Sequence, residues 1–360
     1  MKRRDFLKKA GVATVGAGLS PLMFANAQAA TYRFDMVTSW PTALDAIFGG
    51  ATNTARYLNE MTNGDVEVNV YPAGAQVGAF EVYDAVSSGA FAMGHAAPYY
   101  FYGKNPVHAF FTAVPFGMDA AQFDAWMNAG DGQALSDELT TPDDVIMYPA
   151  GNTGPQTSGW FKREIETVAD LQGLTIRLPG FGGQALSRIG ANVQNIPGGE
   201  VFISLDTGVI DAADWVGPYD DEILGLNNAA TYYYLPSWAE PGASLAVYMN
   251  RSQYDDLPLD IQEAFKSAAA RANQQMLAEY LAKNAAALAR MVAGGTQVRT
   301  LSDEILQALR EATAEIHAAN AEGNELYGRV LENYNAFLAS ARDWQEQSGY
   351  AYANFIYGND

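Results

Sequence analysis

Residues 211–222 read DAADWVGPYDDE, five carboxylates in twelve residues around one Trp and a Gly-Pro turn. Like charges at that density repel unless a cation, a proton or water offsets them. Three uses are open to such a cluster: binding a cation, acid–base chemistry, or plain solvation. Two other positions bear on the choice. Arg177 ends the short run Leu174-Thr175-Ile176 and precedes Leu178-Pro179-Gly180-Phe181-Gly182-Gly183. An Arg at the C-terminal end of a strand, before a Gly-rich entry to a helix, faces the crevice where open α/β sheets bind ligands. Its planar fork can hold a carboxylate through two charge-assisted hydrogen bonds. A surface Arg in an ion pair fits the same residues. A phosphate loop does not, because the Lys-Ser/Thr and the glycine spacing are missing. Asp214 and Glu240, the latter in Trp238-Ala239-Glu240-Pro241-Gly242, end strand-like apolar runs and do not lie on a solvated helical face. Both could offer oxygens to a hard cation such as Na⁺ or Ca²⁺. Asp220, Asp221 and Glu222 follow the Gly-Pro turn and read as solvated acids capping the next helix.

The elements that must position these groups begin after a leader. Arg3-Arg4-Asp5-Phe6-Leu7-Lys8-Lys9, an apolar run from Ala10 to Ala25 and the small-residue exit Ala27-Gln28-Ala29 read as a cleavable export signal over residues 1–29, twin-arginine-like. The apolar run is shorter than the roughly 20 residues a membrane span needs. Losing that segment removes five bases and one acid, so the net charge moves from −20 to −24. Nucleic acid is an improbable partner for so acidic a chain. The absence of Cys excludes thiolate metal sites and thiol nucleophiles, and three scattered His (His95, His108, His317) speak against a His-rich metal centre.

Tyr32 to Val37 alternates as a strand, residues 43–62 carry apolar positions at helical spacing, and Val66 to Tyr71 alternates again before a helix from Phe80 to Gly89. This β-α-β-α opening predicts a mainly parallel sheet. Further strands are expected at Val145–Pro149, Leu174–Arg177 and Ala246–Asn250, the last returning to the first lobe. Short helices are expected at Gln184–Gly190 and Val201–Gly208, and long ones over Asp260–Ala293 and Ser302–Ala341, broken at Gly294-Gly295. No fixed-period repeat is present, which argues against a structural or adhesive role.

Over nearly its whole mature length the chain resembles the solute receptors of tripartite ATP-independent periplasmic (TRAP) transporters. The resemblance is carried by Val68–Gly74, Glu166–Arg177 and Thr207–Trp215. Gly151-Asn152-Thr153-Gly154 with Gln156, Trp215–Glu222 and Ile47-Phe48-Gly49-Gly50 resemble the receptors of 2-oxo or 2-hydroxy monocarboxylates that bind a metal ion. The resemblance implies an α/β, two-lobed periplasmic-binding-protein fold (type II-like) with long C-terminal helices. Lobe I would take residues 30–155 plus about 246–290, lobe II 156–245, and a C-terminal helical segment 291–360 would suit a homodimer. It further implies that Arg177, with Gln156, Asn152, Tyr99, Tyr100 and Asp214, binds the substrate. Gln156, Asp214, the Trp215 carbonyl and Glu240 would hold the cation, Na⁺ ahead of Ca²⁺. The partners would be the ligand and the membrane permease, and the compartment the periplasm. Two positions depart from the pattern: Asp214 stands where relatives carry Glu, and Ala239 where they carry Trp, which would enlarge the pocket. The competing reading is a secreted metal-dependent hydrolase with paired carboxylates, but no Ser nucleophile has a neighbouring His and no water position is evident.

Overall fold

The alternating stretch at the start forms β1 (Tyr32–Thr38), exposed at its beginning and buried over its last three residues. The computed structural model describes residues 30–358, so the expected export signal lies outside the described residues. After β1 come α1 (Asp45–Met61), β2 (Val66–Tyr71), α2 (Val82–Ser87), β3 (Met93–Ala96), α3 (Ala120–Ala129), α4 (Gly132–Thr140) and β4 (Val145–Asn152). The chain then builds β5 (Gly159–Phe161), β6 (Thr175–Arg177), α5 (Gly180–Arg188), β7 (Asn192–Gln194), α6 (Gly198–Asp206), β8 (Ala212–Ala213), α7 (Pro218–Leu224), α8 (Leu226–Ala229) and β9 (Tyr232–Tyr234). Next are β10 (Ser244–Asn250), α9 (Arg251–Asp255), α10 (Leu259–Ala293), β11 (Gln297–Arg299), α11 (Asp303–Ala321), α12 (Glu325–Gln345) and α13 (Ala351–Tyr357).

Two sheets result among the described residues, in the orders β2-β1-β3-β10-β4 and β11-β9-β5-β8-β6-β7. In the first, β1 runs parallel to β2 and β3, while the returning β10 lies antiparallel between β3 and β4. The chain therefore passes between the sheets three times: through α10 from β10 to β11, and by two direct segments, from β4 to β5 and from β9 to β10. The two direct crossings run side by side: Thr153 N–H donates to Ala243 O, Gln156 N–H to Glu240 O at 3.2 Å and Ser158 N–H to Tyr234 O. The segment after 291 also completes the second sheet, because β11 pairs with the edge of β9.

Helix α10 packs against α1 and β4 of the first lobe and against α7 of the second. The single helix expected from Ser302 to Ala341 is two. Gly323 sits at φ +78°, which glycine adopts at little cost, and the Asn324 side chain accepts from Tyr327 N–H to cap α12. Helix α5 starts at Gly180, four residues before the expected start, so the Gly-rich run is its first turn. One apolar cluster reaches across both lobes, from Trp40 and Tyr99 to Trp160 and Trp215. No helix among the described residues is long and apolar enough to cross a membrane.

Candidate functional site

Parallel pairing of β6 with β8 sets Arg177 opposite Ala213, and Asp214 N–H donates to the Arg177 carbonyl at 3.0 Å. Arg177 and Asp214 thus stand side by side at the C-terminal ends of neighbouring parallel strands, where ligands of such sheets bind. Arg177 is 0% exposed, which rules out the surface ion-pair reading. Its Nε–H donates to Ile196 O (3.2 Å), Nη1 to Asp214 O (2.6 Å) and Nη2 to the Tyr100 hydroxyl (3.4 Å). A guanidinium has five N–H donors; these bonds use three and leave two for a ligand. The Trp215 ring lies under the guanidinium, 4.9 Å from its carbon. Tyr100 comes from the first lobe, so the Arg is held across the interlobe cleft. The cleft opens between Tyr99–Tyr102 and Pro179–Gln184.

Gln156 and Glu240 sit on the two paired crossings. Both are buried, as is Asp214. The Gln156 Nε2 donates to Thr153 Oγ1 at 3.1 Å, which leaves its Oε1 with no donor. Asp214 Oδ2, 3.9 Å from Arg177 Nη1, and Glu240 Oε2 also lack one. A buried oxygen without a partner costs free energy; those of Asp214 and Glu240, which interact with Arg177, and that of Gln156, on the segment paired with Glu240, suit a bound cation. Burial raises both carboxyls well above their usual range; for Asp214 the neighbouring Glu240 adds to this and Arg177 opposes it. Among the described residues no group of three His, Cys, Asp or Glu could hold a metal. The donor set is instead two carboxylates with neutral oxygens, which suits a hard cation.

The remaining expected residues lie close by. Asn152 ends β4; its Oδ1 accepts from Gly154 N–H, and its Nδ2 has no acceptor. Tyr99 lies within electrostatic reach of Glu240, Arg177 and Asp214, and burial raises its hydroxyl well above the usual value. The methyl of Ala239 lies against α5: a Cβ on Gly182 would stand 2.8 Å from it. A larger ring at 239 would meet that helix first, so the expected gain in pocket room does not follow from this residue alone.

Asp220 and Asp221 correct the sequence reading: each is 0% exposed, where solvated acids were expected. Asp220 Oδ2 accepts from Tyr280 of α10, and Asp221 accepts from Trp160, Tyr233 and two backbone N–H groups. Burial raises them to about 7 and about 6 respectively, against these hydrogen bonds. Glu222 alone of the three pairs at the surface, with Arg290. Gly198, also missed, lets α6 approach Trp215, since a Cβ there would clash with the indole. Gly198→Ala is therefore expected to cost about 1–3 kcal/mol of stability by overpacking, measurable by denaturant titration.

The model of bacterial extracellular solute-binding proteins, family 7 (DctP), matches residues 36–324. The chain belongs to this family. A monocarboxylate 2-oxoacid-binding periplasmic protein of Nostoc sp. is 44% identical over 360 residues, covering 99% of each chain. A TRAP solute-binding protein of Bordetella bronchiseptica superposes with TM-score 0.89 at 35% identity, over 91% of this chain and 98% of that one. It was solved as a dimer with copurified calcium and picolinate in one site and the other apo. A TRAP periplasmic solute-binding protein of Pseudoalteromonas atlantica, with bound sodium and pyruvate, gives 0.87 at 33%, over 90% and 98%. The family 7 chain is accordingly a solute receptor and not an enzyme, and the hydrolase reading falls away.

Proposed function

We propose that this receptor captures a small 2-oxo or 2-hydroxy monocarboxylate with a metal cation in the periplasm and delivers it to a TRAP membrane permease. What carries the reading is the pairing of two free Arg177 N–H donors with the donor-less buried oxygens of Asp214 and Glu240, and with that of Gln156 on the segment bonded to Glu240. Arg177 takes the ligand carboxylate, while Tyr99, Tyr100 and Asn152 close around it. Gln156, Asp214, Glu240 and the Trp215 carbonyl take the cation. The cation supplies positive charge to the carboxylate and the 2-oxygen of the ligand. The Nostoc relative's 2-oxoacid name and the pyruvate and picolinate of the solved structures support the same class.

Charge favours Ca²⁺ over the Na⁺ that the resemblance put first. Arg177 faces two buried carboxylates, and a monocarboxylate ligand adds a third negative charge. A divalent ion makes the buried set neutral, whereas Na⁺ leaves a charge without a partner. Protein stripped of solute and metal should bind pyruvate only when Ca²⁺ or Na⁺ is restored, and more tightly with Ca²⁺. Acetate, with no 2-oxygen, should bind at least about tenfold more weakly, the order of one hydrogen bond to a charged group. Calorimetry with both acids decides it; equal affinities would refute the 2-oxo assignment.

A homodimer fits the same reading. Trp344, Tyr352 and Tyr357 on the last helices are strongly exposed, and the Bordetella bronchiseptica protein is a dimer. Sedimentation of the chain with and without residues 346–360 tests this.

A further inference from the structure

Asp221 is a buried carboxylate that the cation and ligand assignments leave unused. Its Oδ2 accepts from Trp160 Nε1 at 2.9 Å and from the Tyr233 hydroxyl at 2.7 Å. These two residues face each other across β5 and β9, with rings stacked at 4.1 Å. The other oxygen, Oδ1, accepts from the backbone N–H of Val216 at 3.3 Å and of Gly217 at 3.2 Å. One carboxylate thus ties the second sheet to the chain immediately after Trp215.

The Trp215–Val216 peptide is trans, as the one cis bond among the described residues is Leu235–Pro236. In a planar trans peptide the N–H and the preceding C=O point in opposite directions. Fixing Val216 N–H on Asp221 therefore turns the Trp215 carbonyl away from Asp221. That carbonyl accepts no hydrogen bond from any described residue, although Trp215 itself is buried.

We propose that Asp221 is a positioning residue: through Val216 N–H it sets the direction of the Trp215 carbonyl oxygen, and with it the donor geometry offered to the cation. This rests on the cation reading of the site. A carboxylate suits the position because each oxygen must accept two donors; an amide offers only one accepting atom. Partners that orient a ligand atom without touching the ion commonly shift metal affinity by about 10–100-fold.

The test titrates Ca²⁺ alone, by calorimetry, into the full chain freed of metal and solute. Asp221→Asn is expected to lower Ca²⁺ affinity at least about tenfold while circular dichroism stays that of a folded protein. Tyr233→Phe removes a donor from the other oxygen only. It should lower the melting temperature yet leave Ca²⁺ affinity within about threefold, which separates aiming the carbonyl from general support. If Asp221→Asn does not fold, replacing Val216 by its α-hydroxy analogue deletes that N–H and also weakens the Trp215 carbonyl as a donor to the cation, so a loss of about tenfold or more is expected. The proposal is overturned if folded Asp221→Asn, or the Val216 ester, binds Ca²⁺ as tightly as the unmodified chain, or if Tyr233→Phe loses as much affinity as Asp221→Asn. Failure of the unmodified chain to bind Ca²⁺ at all would show separately, in the first titration, and would bring down the cation reading itself.

Discussion

Removing the cation, or one of its two carboxylates, is expected to abolish capture of 2-oxo acids at working concentrations. Asp214, Glu240 and Arg177 are all buried and interact electrostatically, and with both carboxylates ionised their charges sum to −1 before any ligand arrives. An organic anion joining them is repelled unless a cation reverses the local sign. Glu240→Gln keeps the size and hydrogen-bonding shape of the side chain while deleting its charge, so it weakens the ion's hold. Breaking a buried charge set by one member costs about 3–5 kcal/mol, so pyruvate affinity should fall by more than about a hundredfold. Chelation of the unmodified protein should do the same with the fold intact by circular dichroism. Elemental analysis beside calorimetry is the check, and full-affinity binding by a metal-free sample would disprove the requirement.

Arg177→Lys should weaken binding by about 2 kcal/mol or more, roughly thirtyfold. An ammonium keeps the charge, but it loses the fork that reaches Ile196 O, Asp214 O and Tyr100 at once while leaving two N–H groups for the ligand. Three donors on one atom cannot span those directions. The stacking over Trp215 is also lost. Calorimetry at saturating Ca²⁺ isolates the carboxylate contact from cation binding. Equal affinity for the Lys variant would remove Arg177 from the site.

Arg177 and Asp214 could be picked out as candidate site residues because their signals are local. Ile176-Arg177 at a strand end, and Asp214 closing an apolar pair, are read from a few neighbours in sequence, and β6–β8 pairing then brings them together. The burial of Asp220 and Asp221 was not legible for the opposite reason. Their partners Tyr280, Trp160 and Tyr233 lie on α10, β5 and β9, and periodicity carries no information about such distant donors. Within DAADWVGPYDDE, the Asp211 carboxylate accepts from Thr175 N–H at the start of β6. The placement of β11 was hidden for lack of length, since Gln297–Arg299 is too short for any period to show. The polar stretch bearing Gln156 and the end of the apolar run bearing Glu240 could each be read singly; that they lie side by side is a property of the topology alone.

The insertion of β10 between β3 and β4 has a consequence for how the chain comes off the ribosome. β4 has no sheet partner, and β3 has only β1, until residues 244–250 exist, and β9 keeps an open edge until residues 297–299 do. At synthesis rates of roughly 5–20 residues per second, β4 waits on the order of 5–20 s for its neighbour. During that interval apolar strand edges stand unpaired, which is the condition for misassociation. Neither lobe can therefore be finished while the other is still being made, and the nascent chain must be kept from sticking until almost all of it has emerged.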